Sequence, residues 1–499
     1  MFSNDGIIKN KTLTQIINKL GDLLFKHDLI IDSRKVTKGS IFCAYPGANT
    51  DGRDYIEAAI KNNAAFILWE SEKYEFKFNI PNLPVKNLKY YVGILAAIAM
   101  KNPTNKIKML GVTGTNGKTS ITYWLNQAYM LLSKKSAIIG TTGAGVYPNI
   151  KDYAMTTPDP ITLQKLLAEF AQEKCKIVAM EVSSHALDQG RVNGVNFNTA
   201  IFTNLTQDHL DYHKTMSNYF QAKRKLFFWN DLVNAVINVD DKYGKKLYAE
   251  LSKQNKTKVI SYGIEKNFTE KNHKKVIATH IKLGMQGTSF RLCYAGKCRD
   301  VLVKLIGKFN IYNLLAVVGT LISDGYSLDN IADILPKLKP VFGRMDTIFT
   351  PNKPLIIIDY AHTPDALKNA LSTLQQVELR GELYCIFGCG GNRDAKKRPL
   401  MGEIATKFAD HVIITSDNPR NEDSNAIIKQ IEAGITQKKN YLVIANRRLA
   451  ITKTIKKASA NDIILIAGKG HETYQEINGV KHHFSDYEVA QESLNKVRE

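Results

Sequence analysis

A glycine-rich turn between an apolar run and a helix-like run is the feature that most constrains how this chain can fold. Residues 110–120 read LGVTGTNGKTS and lead into ITYWLNQAYM. Glycines let the backbone wrap tightly so that successive N–H groups point inward, and the N-terminus of the next helix adds partial positive charge. The segment therefore predicts a buried strand, a phosphate-binding loop and a helix.

This loop departs from the strict phosphate-loop pattern at Val112, where the pattern has glycine. A chance glycine-rich turn is the alternative, but the strand, the GKT triplet and the helix together favour nucleotide binding. We expect Lys118 to reach the β- and γ-phosphates of ATP, and the Thr119 hydroxyl to hold Mg²⁺. The predicted ATP contacts in this loop are Gly114, Thr115, Asn116, Gly117, Lys118, Thr119 and Ser120.

The bulk composition is typical of a soluble globular chain of several domains. It has 499 residues, 44% of them hydrophobic and 23% charged, and no apolar run reaches the roughly 18 residues that span a membrane. The N-terminus has no export signal, so we predict a cytoplasmic protein. Six cysteines are too few for a disulfide framework and lack metal-site spacing, which predicts buried or inert thiols in a reducing compartment.

The formal net charge of +21 raises the possibility of a nucleic-acid partner. However, the lysines are scattered, and no basic block is interleaved with aromatic residues. An anionic small substrate suits such a chain equally well. We therefore predict small-molecule substrates, no nucleic acid and a monomer, and salt-dependent retention on heparin or DNA would test the alternative.

The first hundred residues carry the signals of a small α/β domain. Apolar residues recur at helical spacing from Leu13 to Leu24, which predicts an amphipathic helix. The runs IDSRKVTKGSIFCAYPG and AAFILWE indicate strands. NPTNK at 102–106 is a candidate linker, so we predict a first domain over residues 1–103.

Short runs rich in valine and isoleucine alternate with helical stretches in the rest of the chain. This pattern predicts a mostly parallel sheet with helices on both faces, in a central domain of residues 104–340. Residues 264–280 are polar and predict a surface excursion. Beyond LPKLKPVFGR the alternation restarts in a third domain, 341–499. Its strands end in polar loops, and ligands bind outside the carboxyl ends of such strands.

Polar clusters end two strands that follow the phosphate loop. Glu181, in AMEVSSHALDQGR, is placed to coordinate Mg²⁺, because a buried unpaired carboxylate is costly. A surface carboxylate at a strand end is the alternative. TNLTQDHLDYH carries His209 among several acidic residues and a second histidine, although any single histidine is more often structural than a ligand.

These segments occur in the order seen in the Mur ligases. The chain resembles that family through GVTGTNGKTS, EVSSHALDQGR, TNLTQDHLDYH, GKFNIYN, GRMD, DYAHTPDAL, FGCGGNRDAKKRP, DNPR and AGKGHE, from about residue 28 to 487. The resemblance implies an N-terminal UDP-binding domain, a central ATPase domain and a C-terminal Rossmann-like domain. It also implies a reaction in which ATP phosphorylates a D-glutamyl γ-carboxylate and the amine of an amino acid attacks the acyl phosphate, in peptidoglycan precursor synthesis.

The resemblance further implies roles for particular residues. Ile31, Ser33, Ala48, Asn49 and Thr50 would contact the UDP end of the substrate, and Thr156, Thr157, Ser183, Gln189 and Arg191 would hold its muramoyl-dipeptide. Glu181 and His209 would bind Mg²⁺ with Thr119. Arg344 would reach the ATP phosphates, Asp359 the ribose and Asn310 the adenine. Lys223, which by pattern alone belongs to a solvated helix face with its neighbours, would be carbamylated by CO₂ to an N6-carboxylysine anion near the γ-phosphate.

The identity of the added amino acid rests on two loops. The resemblance implies that Arg420 and Arg393 select meso-diaminopimelate, because this amino acid has a carboxylate at its far end that L-lysine lacks. The alternative for Arg420 is an ordinary surface arginine in an exposed turn. The predicted contacts are Arg393, Asp417, Asn418, Pro419, Arg420, Gly468 and Glu472. Two other ligases are alternative functions. One is an L-lysine-adding ligase, and the other is a folylpolyglutamate-synthase relative; the latter would lack DNPR and the UDP-binding domain. A P-loop switch or transport ATPase would share only 109–120.

Overall fold

The computed structural model describes residues 10–47, 50–151, 153, 155–267, 274–377, 381–435 and 441–496. The chain forms two compact units, Met1–Gly263 with Ala316–Tyr326 and Ile264–Leu315 with Ser327–Glu499. Both units are α/β with mostly parallel sheets, as predicted. The predicted domain boundaries after residues 103 and 340 stay predictions.

The first sheet of the N-terminal unit is parallel in the order β1-β2-β3-β4. Its strands are β1 (Leu29–Ile30), β2 (Ile41–Ala44), β3 (Phe66–Glu70) and β4 (Asn82–Val85). Its helices are α1 (Lys11–Leu20), α2 (Leu23–Lys26), α3 (Ile56–Lys61) and α4 (Leu88–Ala99). The predicted amphipathic helix is confirmed, because α1 buries Leu13, Ile16 and Leu20 against the sheet core.

The second sheet of this unit is the scaffold of the phosphate loop. Strands run parallel in the order β12-β11-β10-β5-β9-β6, and β7 and β8 continue it antiparallel. They are β5 (Lys108–Thr113), β6 (Ser136–Gly140), β7 (Gly143–Val146), β8 (Asn149–Lys151), β9 (Ile177–Glu181), β10 (Phe197–Phe202), β11 (Asn234–Asn238) and β12 (Lys258–Ile264). The helices are α5 (Lys118–Leu131), α6 (Pro160–Gln172), α7 (Ser184–Asp188), α8 (Leu210–His213), α9 (Met216–Arg224) and α10 (Lys242–Ser252).

The other unit contains an antiparallel meander and a mostly parallel sheet. The meander is β13 (Lys275–Gly284), β14 (Gly287–Tyr294) and β15 (Lys297–Val303). The sheet has the order β16-β17-β21-β18-β19-β20, with only β16 antiparallel. Its strands are β16 (Asp346–Ile348), β17 (Leu355–Asp359), β18 (Leu383–Phe387), β19 (His411–Ile414), β20 (Tyr441–Val443) and β21 (Ile463–Ala467); a hairpin of β22 (Tyr474–Ile477) and β23 (Val480–His483) follows.

Helices complete this unit. They are α11 (Lys308–Ser323), which passes into the first unit at Ala316, and α12 (Leu328–Ile334), α13 (Pro364–Leu374), α14 (Lys397–Phe408), α15 (Ser424–Glu432), α16 (Arg447–Lys457) and α17 (Asp486–Lys496). The alternation of strands and helices predicted beyond LPKLKPVFGR is therefore present. None of the helices in the described part of the chain is long and apolar enough to cross a membrane.

Two sequence predictions about the meander are wrong. Residues 264–280 are not simply a surface excursion, because β13 begins at Lys275; residues 268–273 lie outside the described part. The prediction of unpaired thiols also fails for Cys293 and Cys298, which form a disulfide. The antiparallel register of β14 and β15 places them directly opposite, with a Cα–Cα distance of 4.2 Å. The remaining four cysteines are free and buried, as predicted.

A fully buried ion pair joins α16 to α17. Arg447 donates from Nε and Nη2 to the Asp486 carboxylate at 2.7 Å, and both side chains have 0% exposure. The guanidinium also donates to the Ala467 carbonyl at the end of β21. Burying two charges is tolerated only when each is paired and hydrogen-bonded, so neither can be removed alone without a large loss of stability.

We expect Arg447→Met to lower the free energy of unfolding by about 3–5 kcal/mol, because it strands the buried Asp486 carboxylate. Urea denaturation followed by circular dichroism measures this. Arg448→Met is the matched control, since the neighbouring Arg448 forms an exposed pair with Glu492 and should contribute little. Equal stability of the two variants would contradict the expectation.

Candidate active site

The loop after β5 has the backbone geometry of a phosphate cradle. Gly114 and Gly117 have φ values of +151° and +88°, backbone conformations that residues other than glycine rarely adopt. A Cβ at Gly114 would lie 1.8 Å from Thr203 Oγ1, so no larger residue fits. Gly117 caps α5, which begins at Lys118 and presents its N-terminal N–H groups to the loop.

The segment after β10 holds this loop in place. Asn204 accepts from the Asn116 N–H at Oδ1 (3.0 Å), and its carbonyl accepts from the Thr115 N–H (2.9 Å). Thr203 donates to the Asn116 carbonyl at 2.6 Å. Lys118 folds back on the loop and donates to the carbonyls of Gly114 and Thr115, at 3.1 and 2.9 Å. The predicted ATP contacts from Gly114 to Ser120 therefore all lie in one turn, braced by hydrogen bonds, and in the first turn of α5.

Lys223 does not lie on a solvated helix face. Its side chain is buried to 1% exposure on α9, and Nζ donates to the Gly114 carbonyl at 2.8 Å. Burial and the nearby Lys118 ammonium lower the pKa of Lys223 well below its ordinary value. The solvated-face alternative holds instead for Lys225, which is exposed and paired with Asp188. Lys223 is thus poised to carry a neutral amine beside the phosphate loop.

Tyr219 was not predicted from the sequence, yet it connects three parts of this site. The Lys223 ammonium lies 4.7 Å from the centre of its ring. Its hydroxyl lies 3.3 Å from Thr115 Oγ1, and its ring stacks on His213 at 5.1 Å. His213 in turn bonds to the Ser184 hydroxyl at 2.9 Å. The signal in the sequence was its position one helical turn before Lys223, on the same face of α9.

Glu181 ends β9, next to the strand that leads into the phosphate loop. Its partner in the parallel register is Val112 of β5. The carboxylate is buried to 1% exposure and accepts from the Thr141 N–H at 2.8 Å and the Thr141 hydroxyl at 3.2 Å. The alternative of a surface carboxylate is therefore wrong. Thr141 was missed because it follows a different strand, β6, whose position beside β9 only the fold reveals.

The other predicted contacts of the dipeptide form one hydrogen-bonded network with Glu181. Thr157 donates to the Glu181 carbonyl at 2.9 Å and accepts from the Ser183 N–H at 3.2 Å. Arg191 donates from Nη1 to the Thr157 carbonyl at 3.2 Å and from Nε to Gln189 Oε1 at 2.8 Å. Thr156, also predicted, lies 3.1 Å from the Thr141 hydroxyl. Partial burial lowers the pKa of Arg191, which remains a fixed cation at the rim of this network.

The predicted UDP contacts that the structure describes follow strands of the first sheet, Ile31 and Ser33 after β1 and Thr50 after β2. Ser33 is buried at the start of a short 3₁₀ turn, and its carbonyl accepts from Asn62 at 3.0 Å. Ile31, two residues earlier, is half-buried, and Thr50 is exposed with its carbonyl bonded to the Gly47 N–H. Ala48 and Asn49 lie outside the described residues. A cavity of about 1200 Å³ in the same unit is lined by residues that include Tyr90, on α4, and Gln189, which follows α7.

Mg²⁺ bound with a nucleotide takes one or two protein carboxylates and fills its shell with phosphate oxygens and waters. Glu181 has the right donor chemistry and lies beside the phosphate loop. His209 has a left-handed backbone, and its ring centre lies 4.9 Å from that of His185. Within the described ranges no three His, Cys, Asp or Glu side chains form a cluster that could hold a metal by themselves. The donor chemistry of Glu181 therefore fits a magnesium ion that a nucleotide brings, and the roles of Thr119, Glu181 and His209 as its ligands stay predictions.

Three more predicted ATP contacts lie in the second unit. Asp359, at the end of β17, accepts from the Met345 N–H at 2.7 Å and the Ala361 N–H at 2.9 Å, and its burial raises its pKa. The Arg344 guanidinium lies 4.8 Å from the centre of the Tyr360 ring. Asn310 is buried in the first turn of α11 and donates to the Ile306 carbonyl at 2.9 Å. Arg344 and Asp359 thus share one loop region, held by backbone hydrogen bonds.

The DNPR segment follows β19 and is clamped by the hairpin strand β22. Arg420 has a φ of +52°, unusual for a residue with a side chain. Its N–H donates to the Glu476 carbonyl at 3.0 Å, and its carbonyl accepts from the Asn478 N–H at 2.8 Å. The guanidinium donates from Nη1 to the Gly391 carbonyl at 2.9 Å and lies 3.3 Å from the Glu476 carboxylate. The alternative of a freely exposed turn is therefore wrong.

The remaining predicted residues of this pocket come from neighbouring strand ends. Asp417, Asn418 and Pro419 are buried, and Gly468, after β21, has a φ of +116° with no room for a Cβ beside Asp417. Glu472 accepts from Asn418 Nδ2 at 2.7 Å. Arg393 is exposed on the loop after β18. The structure thus brings these loops to the carboxyl edge of one parallel sheet, where ligands of α/β folds bind.

Comparison with known families agrees with this architecture. The model of the Mur ligase middle domain matches residues 112–321, that of the Mur ligase family catalytic domain matches 27–100, and that of the Mur ligase glutamate ligase domain matches 343–470. The chain belongs to the Mur ligase family. It is therefore a ligase, and the predicted family, fold class and enzyme class are confirmed.

Similar proteins align with this Mur ligase along nearly its whole length. UDP-N-acetylmuramoyl-L-alanyl-D-glutamate–2,6-diaminopimelate ligase of Neisseria meningitidis serogroup A is 49% identical, over 93% of this chain and 94% of the relative. The enzyme of the same name from Chromobacterium violaceum is 46% identical over 93% of each chain. A solved structure of a ligase of that name is 34% identical, with a TM-score of 0.73 and coverage of 95% of both chains.

Proposed function

We propose that this Mur ligase adds meso-2,6-diaminopimelate to the D-glutamyl γ-carboxylate of UDP-N-acetylmuramoyl-L-alanyl-D-glutamate, with ATP as co-substrate, in the cytoplasm. The arrangement of β5 and β9 carries the proposal. A triphosphate loop follows one strand, and a network of hydroxyl groups with Arg191 follows its parallel neighbour. A nucleotide phosphate and a substrate carboxylate bound at adjacent strand ends are what acyl-phosphate chemistry requires. The names of the relatives support the same reaction.

In the first step a γ-carboxylate oxygen attacks the γ-phosphorus of ATP. An O–P bond forms to the carboxylate, the bond to the β-phosphate oxygen breaks, and ADP leaves. Two anions must approach, so catalysis consists mainly of positioning and neutralisation. The loop N–H groups and Lys118 would neutralise the phosphates, and Arg191 with the Thr157 network would orient the substrate. Mg²⁺, held by Thr119, Glu181 and His209, would supply further positive charge to the phosphate oxygens.

In the second step the amine of the amino acid attacks the acyl carbon. The C–N bond forms as the amine loses a proton, and the bond to the phosphate oxygen breaks, so that inorganic phosphate leaves. Asp417–Arg420 and Glu472 would hold the amino acid, and Arg344 and Asp359 the nucleotide. We also propose the domain division 1–103, 104–340 and 341–499, which assigns the UDP end, the ATP and the amino acid to successive domains.

We further propose that Lys223 is carbamylated. A neutral amine is the form that adds to CO₂, and burial beside Lys118 favours that form. Nζ forms a bond to the carbon of CO₂ and releases a proton to solvent, which gives a carbamate anion, so that repulsion between Lys223 and Lys118 becomes attraction. The carbamate would fix Lys118 and the metal-bound phosphates from the side of Gly114, to which Nζ is now bonded.

Arg420 carries the proposed choice of amino acid. Its guanidinium can bind the far carboxylate of diaminopimelate through two parallel charged hydrogen bonds. L-Lysine has no carboxylate there, and binding it would leave the guanidinium without the bidentate substrate partner that diaminopimelate offers. A site built for a polar group can reject the analogue that lacks it by roughly 10⁴-fold. An L-lysine-adding enzyme is the alternative, and ligation assays with each amino acid offered separately decide between the two.

Phosphate release by this Mur ligase should require UDP-muramoyl-dipeptide, ATP and diaminopimelate together, because phosphate leaves only when an amine attacks the acyl phosphate. Lys118→Ala should abolish release by removing the cation at the phosphates. A coupled phosphate assay with each substrate omitted in turn measures this. Rapid ATP hydrolysis by the enzyme alone would refute the proposed reaction.

Lys223→Ala should reduce kcat by about 10²-fold or more, the usual effect of losing a preorganised charge, while the circular dichroism spectrum stays unchanged. Acetate or another short carboxylate should restore part of the activity, since it can occupy the vacated anion position. Lys225→Ala is the matched control, because Lys225 follows the end of α9 directly and is exposed, and it should behave as the wild type. Wild-type activity in Lys223→Ala would show that the buried lysine has no catalytic role.

Arg420→Ala should raise KM for diaminopimelate about 10- to 100-fold through loss of a charged hydrogen bond, with KM for the UDP substrate nearly unchanged. Arg420→Lys should restore little, because an ammonium cannot pair with a carboxylate in the same bidentate way. Steady-state kinetics with each substrate varied gives these values. Wild-type ligation of L-lysine as efficient as that of diaminopimelate would contradict the assignment.

A further inference from the structure

Lys469, in the AGKGHE segment after β21, is a charged residue to which the proposed reaction assigns no role. Its side chain has 0% exposure, so it lies behind the amino-acid pocket and cannot touch a substrate directly. A lysine ammonium is rarely buried completely, because the loss of hydration must be offset by several good acceptors. The partners of Lys469 therefore indicate why this charge is present.

Two of these partners are predicted diaminopimelate contacts. Nζ lies 3.2 Å from Glu472 Oε2 and 3.2 Å from Asn418 Oδ1, and it also donates to the Tyr474 carbonyl. Asn418 Nδ2 donates to the same Glu472 oxygen at 2.7 Å. Lysine, asparagine and glutamate thus form a closed triangle in which each group contacts the other two.

The triangle sets the orientation of both substrate contacts. Asn418 Oδ1 accepts from Lys469 and from the Glu476 N–H at 3.0 Å, so its amide must direct Nδ2 towards Glu472. The contacts of Lys469 and Asn418 with Glu472 both engage Oε2. The second oxygen, Oε1, is then the one that a substrate ammonium would take. Two donors to the same oxygen also hold the Glu472 carboxylate in one orientation.

We infer that Lys469 is a positioning residue that selects for an amino acid with an ammonium group at Glu472, by holding Glu472 and Asn418 in the orientation that binds it. This inference rests on the proposed function, in which both residues contact diaminopimelate. Lys469 acts only through them. Removing it should therefore matter no more than removing the Glu472 charge itself.

A double-mutant cycle tests the inference. Lys469→Met and Glu472→Gln should each raise KM for diaminopimelate about 10- to 100-fold, as expected for loss of a charged hydrogen bond. The double variant should be no worse than Glu472→Gln alone, since coupled residues are not additive. KM for ATP and for UDP-muramoyl-dipeptide should stay within about twofold in all three variants, because the pocket for the amino acid is changed selectively.

Lys481→Met is the matched control. Lys481 also lies over the Tyr474 ring, at 4.2 Å compared with 5.5 Å for Lys469, but it is exposed on β23. It should leave all three KM values unchanged. If Lys469→Met does not yield folded protein, Lys469→Gln keeps one donor in the same place and completes the cycle.

The outcomes separate this inference from the proposed function. Independent effects in the cycle, or equal rises in all three KM values, would assign Lys469 a general structural role and overturn the inference. Wild-type KM in Lys469→Met would overturn it as well. If Glu472→Gln alone leaves KM for diaminopimelate unchanged, the proposed role of Glu472 itself is wrong.

Discussion

The parallel pairing of β5 with β9 on one side and β10 on the other is the constraint on which the central site depends. Carboxyl ends of parallel strands meet at one edge of a sheet, so the phosphate loop, Glu181 and Asn204 are brought together by register alone. Thr203 and Asn204 form hydrogen bonds to the backbone of the loop and brace its glycine-dependent shape. Chemistry at this edge is therefore a consequence of sheet topology.

Three buried cationic side chains differ in the partners that surround them, and these partners indicate the role of each side chain. Arg447 is neutralised by Asp486 and joins two helices, which is a structural role. Lys469 instead contacts two residues of the proposed amino-acid pocket. Lys223 Nζ donates to a carbonyl and lies over an aromatic ring, and the repulsion from Lys118 is larger than the attraction of Asp208. Burial with an incomplete set of partners is the physical reason for proposing that Lys223 is chemically modified.

Most elements that carry the site could be predicted, because their signals are local. Apolar runs of strand length followed by glycine or acidic residues identified β5, β9, β17, β19 and β21. The meander was missed, since polar residues obscure the alternation in β13, and with it the facing cysteines were missed too. Thr141 and Tyr219 were missed because each reaches the site from an element whose neighbours are set only by the fold.

The sequence by itself determined the family, the α/β class and the residues that form the phosphate loop and the DNPR turn. These features could be predicted because each depends on a short run of consecutive residues with fixed backbone requirements. The tertiary structure alone decided which charges are buried and what they touch. Lys223 and Lys225 lie two residues apart on one helical segment, yet one is enclosed beside Gly114 and the other is exposed. Burial depends on packing between distant segments, and it is burial that converts an ordinary lysine into a reactive or positioning group.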